Sequence, residues 1–213
     1  MAVGVALSPM PIVALVLMLV TPQARSNGPA FILGWIFGLA AVGTILLAVA
    51  DPVGAAEEDG PATWVSWLKV VLGALLWLIA LRLWRGRPQN AEEPPAPKWM
   101  GAIETFTPVK AAGAGALLSG LNPKNLLLAV AAAAAIAGTG ISGGQQAVAY
   151  VIFALIGTLG VGAPVVIFFA LGDRAPRLLG SLRAWMAHNN MVIMAVLLLV
   201  IGAKLIGDGI AEL

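Results

Sequence analysis

The chain has 213 residues, 60% of them hydrophobic and only 10% charged, with a net charge of +2. A soluble domain carries about 25% charged residues, so this chain has too few to cover a water-facing surface, and its mean hydropathy of +0.96 agrees. No basic run is interleaved with aromatics, which argues against a nucleic-acid partner, and the absence of cysteine excludes disulfides, iron–sulfur ligation and thiol carriage of reducing equivalents.

A membrane helix takes about 20 mostly apolar residues, and six stretches qualify. The first, residues 2–20, is apolar from the start and lacks a positively charged leader, so it is expected to be a retained span. It carries Pro9 and Pro11 near its middle. The second covers residues 29–50 and holds the pair Gly34 and Gly38, a spacing that lets membrane helices approach closely. The third covers residues 63–84. A long polar loop follows over 85–107, with a proline-rich linker and then "WMGAIETF", which reads as a short interfacial helix. Thr107-Pro108 is an N-cap with proline at the first helical position. It opens the fourth span, residues 108–137, which is crowded with alanine from Ala131 to Ala135 and interrupted by "LNPKN". The fifth covers 145–171. "RAPRLLGSLRAWMAH" then places Leu178, Leu182, Trp185 and Met186 on one helical face with arginines beside it, the pattern of a helix lying on the membrane surface, with a plain loop as the alternative. The sixth covers 190–210.

The charges in the connections alternate with six spans. Arg25, then Arg82, Arg85, Arg87, Lys98 and Lys110, then Arg174, Arg177 and Arg183 fall on one side. Asp51, Glu57, Glu58 and Asp59, the uncharged "GTGISGGQ", and Asp208 and Glu212 fall on the other. The remaining cations, Lys69, Lys124 and Lys204, lie within spans. Basic loops stay in the cytoplasm, so both termini are expected outside it.

The two halves resemble each other. Aligning Pro11 with Pro123 sets Ser8 opposite Gly120, Gly38 meets Gly157, Gly43 meets Gly162, and Gly73-Ala74 parallels Gly202-Ala203. The expected fold is therefore an all-α polytopic membrane protein with six transmembrane helices in a single domain over 1–213. Repeat 1 is about 1–84 and repeat 2 about 108–213, a 3+3 inverted repeat with helices 1 and 4 broken near mid-membrane.

The breaks carry the chemistry. Proline cannot donate to the residue four before it, so Pro9 and Pro11 release the carbonyls of Val5 and Leu7, and Pro123 that of Ser119. Beyond each break a new helix begins with unpaired N–H groups and a positive dipole end. Ser8 and Asn122 are suited as N-caps. Two such ends facing one cavity, strengthened by Lys124 and the amides of Asn122 and Asn125, would hold an anion. The plainer reading is a pair of proline kinks, with Lys124 snorkelling or bonded to a carbonyl. Lys204 is four residues before Asp208, the spacing of a simple ion pair, and Lys69 snorkels cheaply. His188, the only histidine, stands at the cytoplasmic end of the sixth span, where an exposed interfacial place is expected of it. No Asp or Glu falls at mid-span, so no carboxylate coupling site, metal site, cofactor or enzymatic role is expected.

"ALSPMPIVALVLML", "FILGWIFGLA", "PKWMGAIETFTPVKA" and "LNPKNLLLAVAAAAAI" resemble the peptidoglycolipid-addressing proteins of the lysine-exporter superfamily, over nearly the whole chain. By position, Ser8, Pro9, Pro11, Asn122, Pro123, Lys124 and Asn125 match that family's signature segments, and Glu104 stands where the family more often carries Asp. The resemblance implies a bacterial plasma-membrane exporter or flippase that moves an anionic glycolipid or lipid precursor by alternating access. Export of small soluble metabolites, such as amino acids or organic anions, and a non-transporting role in an envelope-lipid export machine are the alternatives. Membrane lipids, that machinery and further copies of the chain are the partners in view.

Overall fold

A computed structural model of the chain describes residues 1–54, 63–86, 102–103, 105–137, 139–211 and 213. Among these residues there is no strand. The helices are α1 (Ala2–Ala6), α2 (Pro9–Leu19), α3 (Ala24–Gly54), α4 (Thr63–Arg85), α5 (Pro108–Gly120), α6 (Pro123–Ala137), α7 (Gly143–Leu171), α8 (Ala175–His188) and α9 (Asn190–Ala211), with a 3₁₀ turn at Gly172–Arg174. Residues Ala24–Ala48 of α3, all of α7 and Met191–Ala211 of α9 are long and apolar enough to cross a membrane. The pair α5–α6, bent by 57°, makes a fourth if it is one span. The chain is a multi-pass membrane protein. The acidic loop beyond Gly54, the proline-rich linker with Lys98, and Glu104 lie outside the described residues.

The chain forms two compact units, Met1–Gly54 with Pro95–Ala187, and Ala55–Pro94 with His188–Leu213. In the first, α2 is the centre. Pro11 and every residue from Ile12 to Leu19 are buried, as expected of a helix that is apolar all round. It packs against α3, α5 and α7. Two seams of small residues close the unit. A Cβ on Gly34 would lie 1.9 Å from the Ala112 carbonyl oxygen, and one on Gly115 would lie 2.2 Å from that of Phe31, so α3 and α5 touch backbone to backbone. On the other side a Cβ on Gly160 of α7 would lie 1.7 Å from the Ala6 carbonyl oxygen of α1. Such contacts need residues without side chains.

In the second unit α4 lies along α9. Gly73 and Gly202 face each other, and a Cβ on either would lie within 2.8 Å of the other's carbonyl oxygen. Trp77 Nε1 donates to the Leu199 carbonyl at 3.0 Å. Lys204 pairs with Asp208 as its spacing predicts.

Three expectations are revised. The second segment begins at Ala24, not near 29, because Ala24 N–H bonds Thr21 O and Asn27 N–H bonds Gln23 O, turning a polar "RSNG" stretch into a first helical turn. It also runs on to Gly54, so Asp51 is helical. The first break comes after only five helical residues and is off-centre in its segment. The surface helix α8 exists, but its apolar face is divided, since Met186 is buried at 6% exposure while Leu178 and Trp185 remain 49% and 58% exposed.

Candidate functional site

The two breaks meet. At the first, α1 ends at Leu7, and Ser8 stands extended (φ −85°, ψ 106°) before Pro9. Its hydroxyl makes no capping bond. An N-cap oxygen accepts from the second or third helical N–H; the third residue here is Pro11, which has none, and the hydroxyl does not take that of Met10 either. The hydroxyl instead donates to Asn125 Oδ1 at 2.7 Å, with both residues buried.

At the second break Leu121 N–H and Asn122 N–H both bond Leu117 O, closing α5. Asn122 then caps α6 as expected, its Oδ1 accepting from Lys124 N at 3.1 Å. Asn125 lies one helical turn in and is fully buried. Its Nδ2 donates to the Leu118 carbonyl at 2.9 Å, an acceptor that α5 leaves free where it stops.

Lys124 joins the two. Its ammonium donates to Gly4 O at 2.7 Å and Ser8 Oγ at 2.9 Å, with Leu7 O at 3.5 Å. Those carbonyls are the loose, negative end of α1. Three protons therefore meet three acceptors, all neutral. Ser8 accepts from Lys124 while donating to Asn125. The result is one hydrogen-bonded chain from the end of α1, through Lys124, Ser8 and Asn125, to the end of α5.

Ser8, Pro9, Pro11, Asn122, Pro123, Lys124 and Asn125 thus all fall at the two breaks, but in unequal roles. Pro9 and Pro11 are buried, Pro123 is exposed, and Asn122 and Lys124 are half-buried. The prolines carry no N–H, Ile12 N–H is bonded to Ser8 O, and Leu126 N–H to Asn122 O. The two helix starts therefore offer few free donors, and the positive charge at the junction is that of Lys124.

Sequence reasoning missed Gly4 and Leu118, whose contribution is a backbone carbonyl and leaves no mark in side-chain chemistry. It also missed Tyr150, which donates to the Leu39 carbonyl at 3.3 Å and lays its ring on Gly43. The signal was available, because Tyr150 is the only tyrosine in the chain and falls inside a span. Two hollows open elsewhere in the first unit, neither lined by a junction residue. One of about 310 Å³ between α3 and α7 is lined by residues including Ala40, Thr44, Gln146 and Val151. The other, an apolar groove of about 490 Å³ between α3 and α5, is lined by Leu33, Gly34, Phe37, Val109, Ala112, Gly113 and Ala116.

A family model described as Sap, sulfolipid-1-addressing protein, matches residues 1–211. No curated protein and no solved structure matches the chain.

Proposed function

We propose, since the chain belongs to the sulfolipid-1-addressing protein family, that it moves an anionic lipid or glycolipid precursor across a bacterial plasma membrane, with Lys124 as the headgroup-binding charge. The observation that carries this is the acceptor set of Lys124. An ammonium in a membrane segment defaults to function, and this one rests on neutral carbonyls and a hydroxyl. A sulfate, phosphate or carboxylate is a stronger acceptor for it. An arriving headgroup would take Lys124 from Gly4, Leu7 and Ser8, releasing the end of α1 from α6. The described arrangement is then the resting, latched one. The groove between α3 and α5 has no polar lining residue and suits an acyl chain trailing from that headgroup.

The architecture we attach to this is six spans in a 3+3 inverted repeat of the lysine-exporter kind, with α1–α2 and α5–α6 as the broken first and fourth. At about 1.5 Å per residue, the 23 residues of α4 reach across a bilayer core. Exchange of the halves supports the repeat. Packing of α3 on α5 is matched by α7 on α1, α3 on α6 by α7 on α2, α2 on α3 by α6 on α7, and α1 on α6 by α2 on α5. Both termini then lie outside the cytoplasm, and rocking of one half against the other alternates access.

Translocation of a labelled anionic lipid in vesicles reconstituted with the purified protein tests the reading. Lys124→Gln should slow it about tenfold or more, the worth of one charge-assisted bond, and Lys124→Arg should retain part of the rate. Equal rates for wild type and Lys124→Gln would make the junction a structural tie. Flux of amino acids or organic anions with no lipid movement would turn the account to soluble substrates.

A further inference from the structure

The helix α8 presents three distinct sides. Ala175, Leu179 and Met186 are 0%, 0% and 6% exposed, a side covered by protein. Leu178, Leu182 and Trp185 form a second stripe at i, i+4 and i+7, with Leu178 and Trp185 49% and 58% exposed. Arg177, Ser181, Ala184 and His188 form a third, and all are exposed, as is Arg174 in the turn before the helix. At about 100° per residue the cationic side adjoins the open apolar side and stands away from the buried one.

A helix with one side held by protein, one open and apolar and one cationic fits a boundary between hydrocarbon and anionic headgroups. Val166, Phe169 and Leu171 at the end of α7, shortly before α8 in the chain, are likewise exposed. Tryptophan, like tyrosine, is enriched at such boundaries.

We propose that α8 is a seat for anionic phospholipids of one leaflet, with Leu178, Leu182 and Trp185 dipped into the acyl layer and Arg174 and Arg177 on the phosphates. This surface is separate from the Lys124 junction and does not depend on transport.

The test uses the absence of cysteine from the chain, so that Leu178→Cys is the sole thiol. It is labelled with an environment-sensitive dye and reconstituted in phosphatidylcholine vesicles with and without phosphatidylglycerol. The dye should be shifted to the blue, be quenched by spin-labelled lipid, and respond to phosphatidylglycerol. Arg174→Gln with Arg177→Gln should remove that response, each arginine being worth about fivefold in local anionic-lipid enrichment. Ser181→Cys, on the cationic side, should report a more polar site. If the Leu178→Cys protein is not monodisperse, mass spectrometry of phosphatidylglycerol retained by wild type and by the double arginine variant decides, equal retention overturning the proposal. A dye exposed to water in both bilayers overturns it, and so does one shielded without lipid quenching, which would mean that a protein covers this side.

Discussion

Ser8, Lys124 and Asn125 share one hydrogen-bonded chain, so they should fail together and in different ways. Asn125→Ala takes the Nδ2 donor from the half-buried Leu118 carbonyl and the acceptor from the Ser8 hydroxyl proton. It should lower stability by about 1–3 kcal/mol, read as thermal unfolding in detergent micelles. Asn125→Asp places a carboxylate on Ser8, beside the Lys124 ammonium. It also removes the Nδ2 donor and turns an oxygen on the Leu118 carbonyl, so the variant should unfold below the wild-type temperature and, with the carboxylate holding Lys124, move lipid more slowly. A variant both stable and fully active would argue against the latch. These residues were legible beforehand because proline, asparagine and lysine are conspicuous in an apolar run. The acceptors of Lys124 were not. Gly4 lies 120 positions away, and only the packing of α1 on α6 brings its carbonyl within reach.

Among the helices, the seams decide which changes are tolerated. Gly160→Ala would drive a methyl into the Ala6 carbonyl, 1.7 Å away, and push α7 off α1. Gly113→Ala meets nothing within 4 Å and should be neutral, or slightly stabilising through helix propensity. A thermal-shift comparison of the two checks the seam directly, and equal values would contradict it. Hydropathy and turn residues were enough to find the helices, both breaks and the caps at Thr107 and Asn122. Hydropathy does not record direction, so the 57° bend between α5 and α6 and the division of the α8 face came only with the structure. Of the seam glycines, Gly34 and Gly38 announced themselves by spacing. Gly115 and Gly160 did not, since neither has a glycine four residues away in the sequence.

In the whole molecule, an exchange-related set of helix contacts goes with a charge pattern that alternates along the chain. A single cysteine at Gln23 should react with an impermeant thiol reagent only from the cytoplasmic side, and one at Ser142 only from the opposite side. The reverse, or both from one side, would break the six-span arrangement. The central claim is that Lys124 is where an anionic headgroup engages, and mass spectrometry of the lipids retained by gently extracted protein tests it most directly, with wild type beside Lys124→Gln. The account predicts one class of anionic lipid enriched on the wild type and lost from the variant, while bulk phospholipid is the same on both. Identical lipid profiles on the two proteins would contradict it.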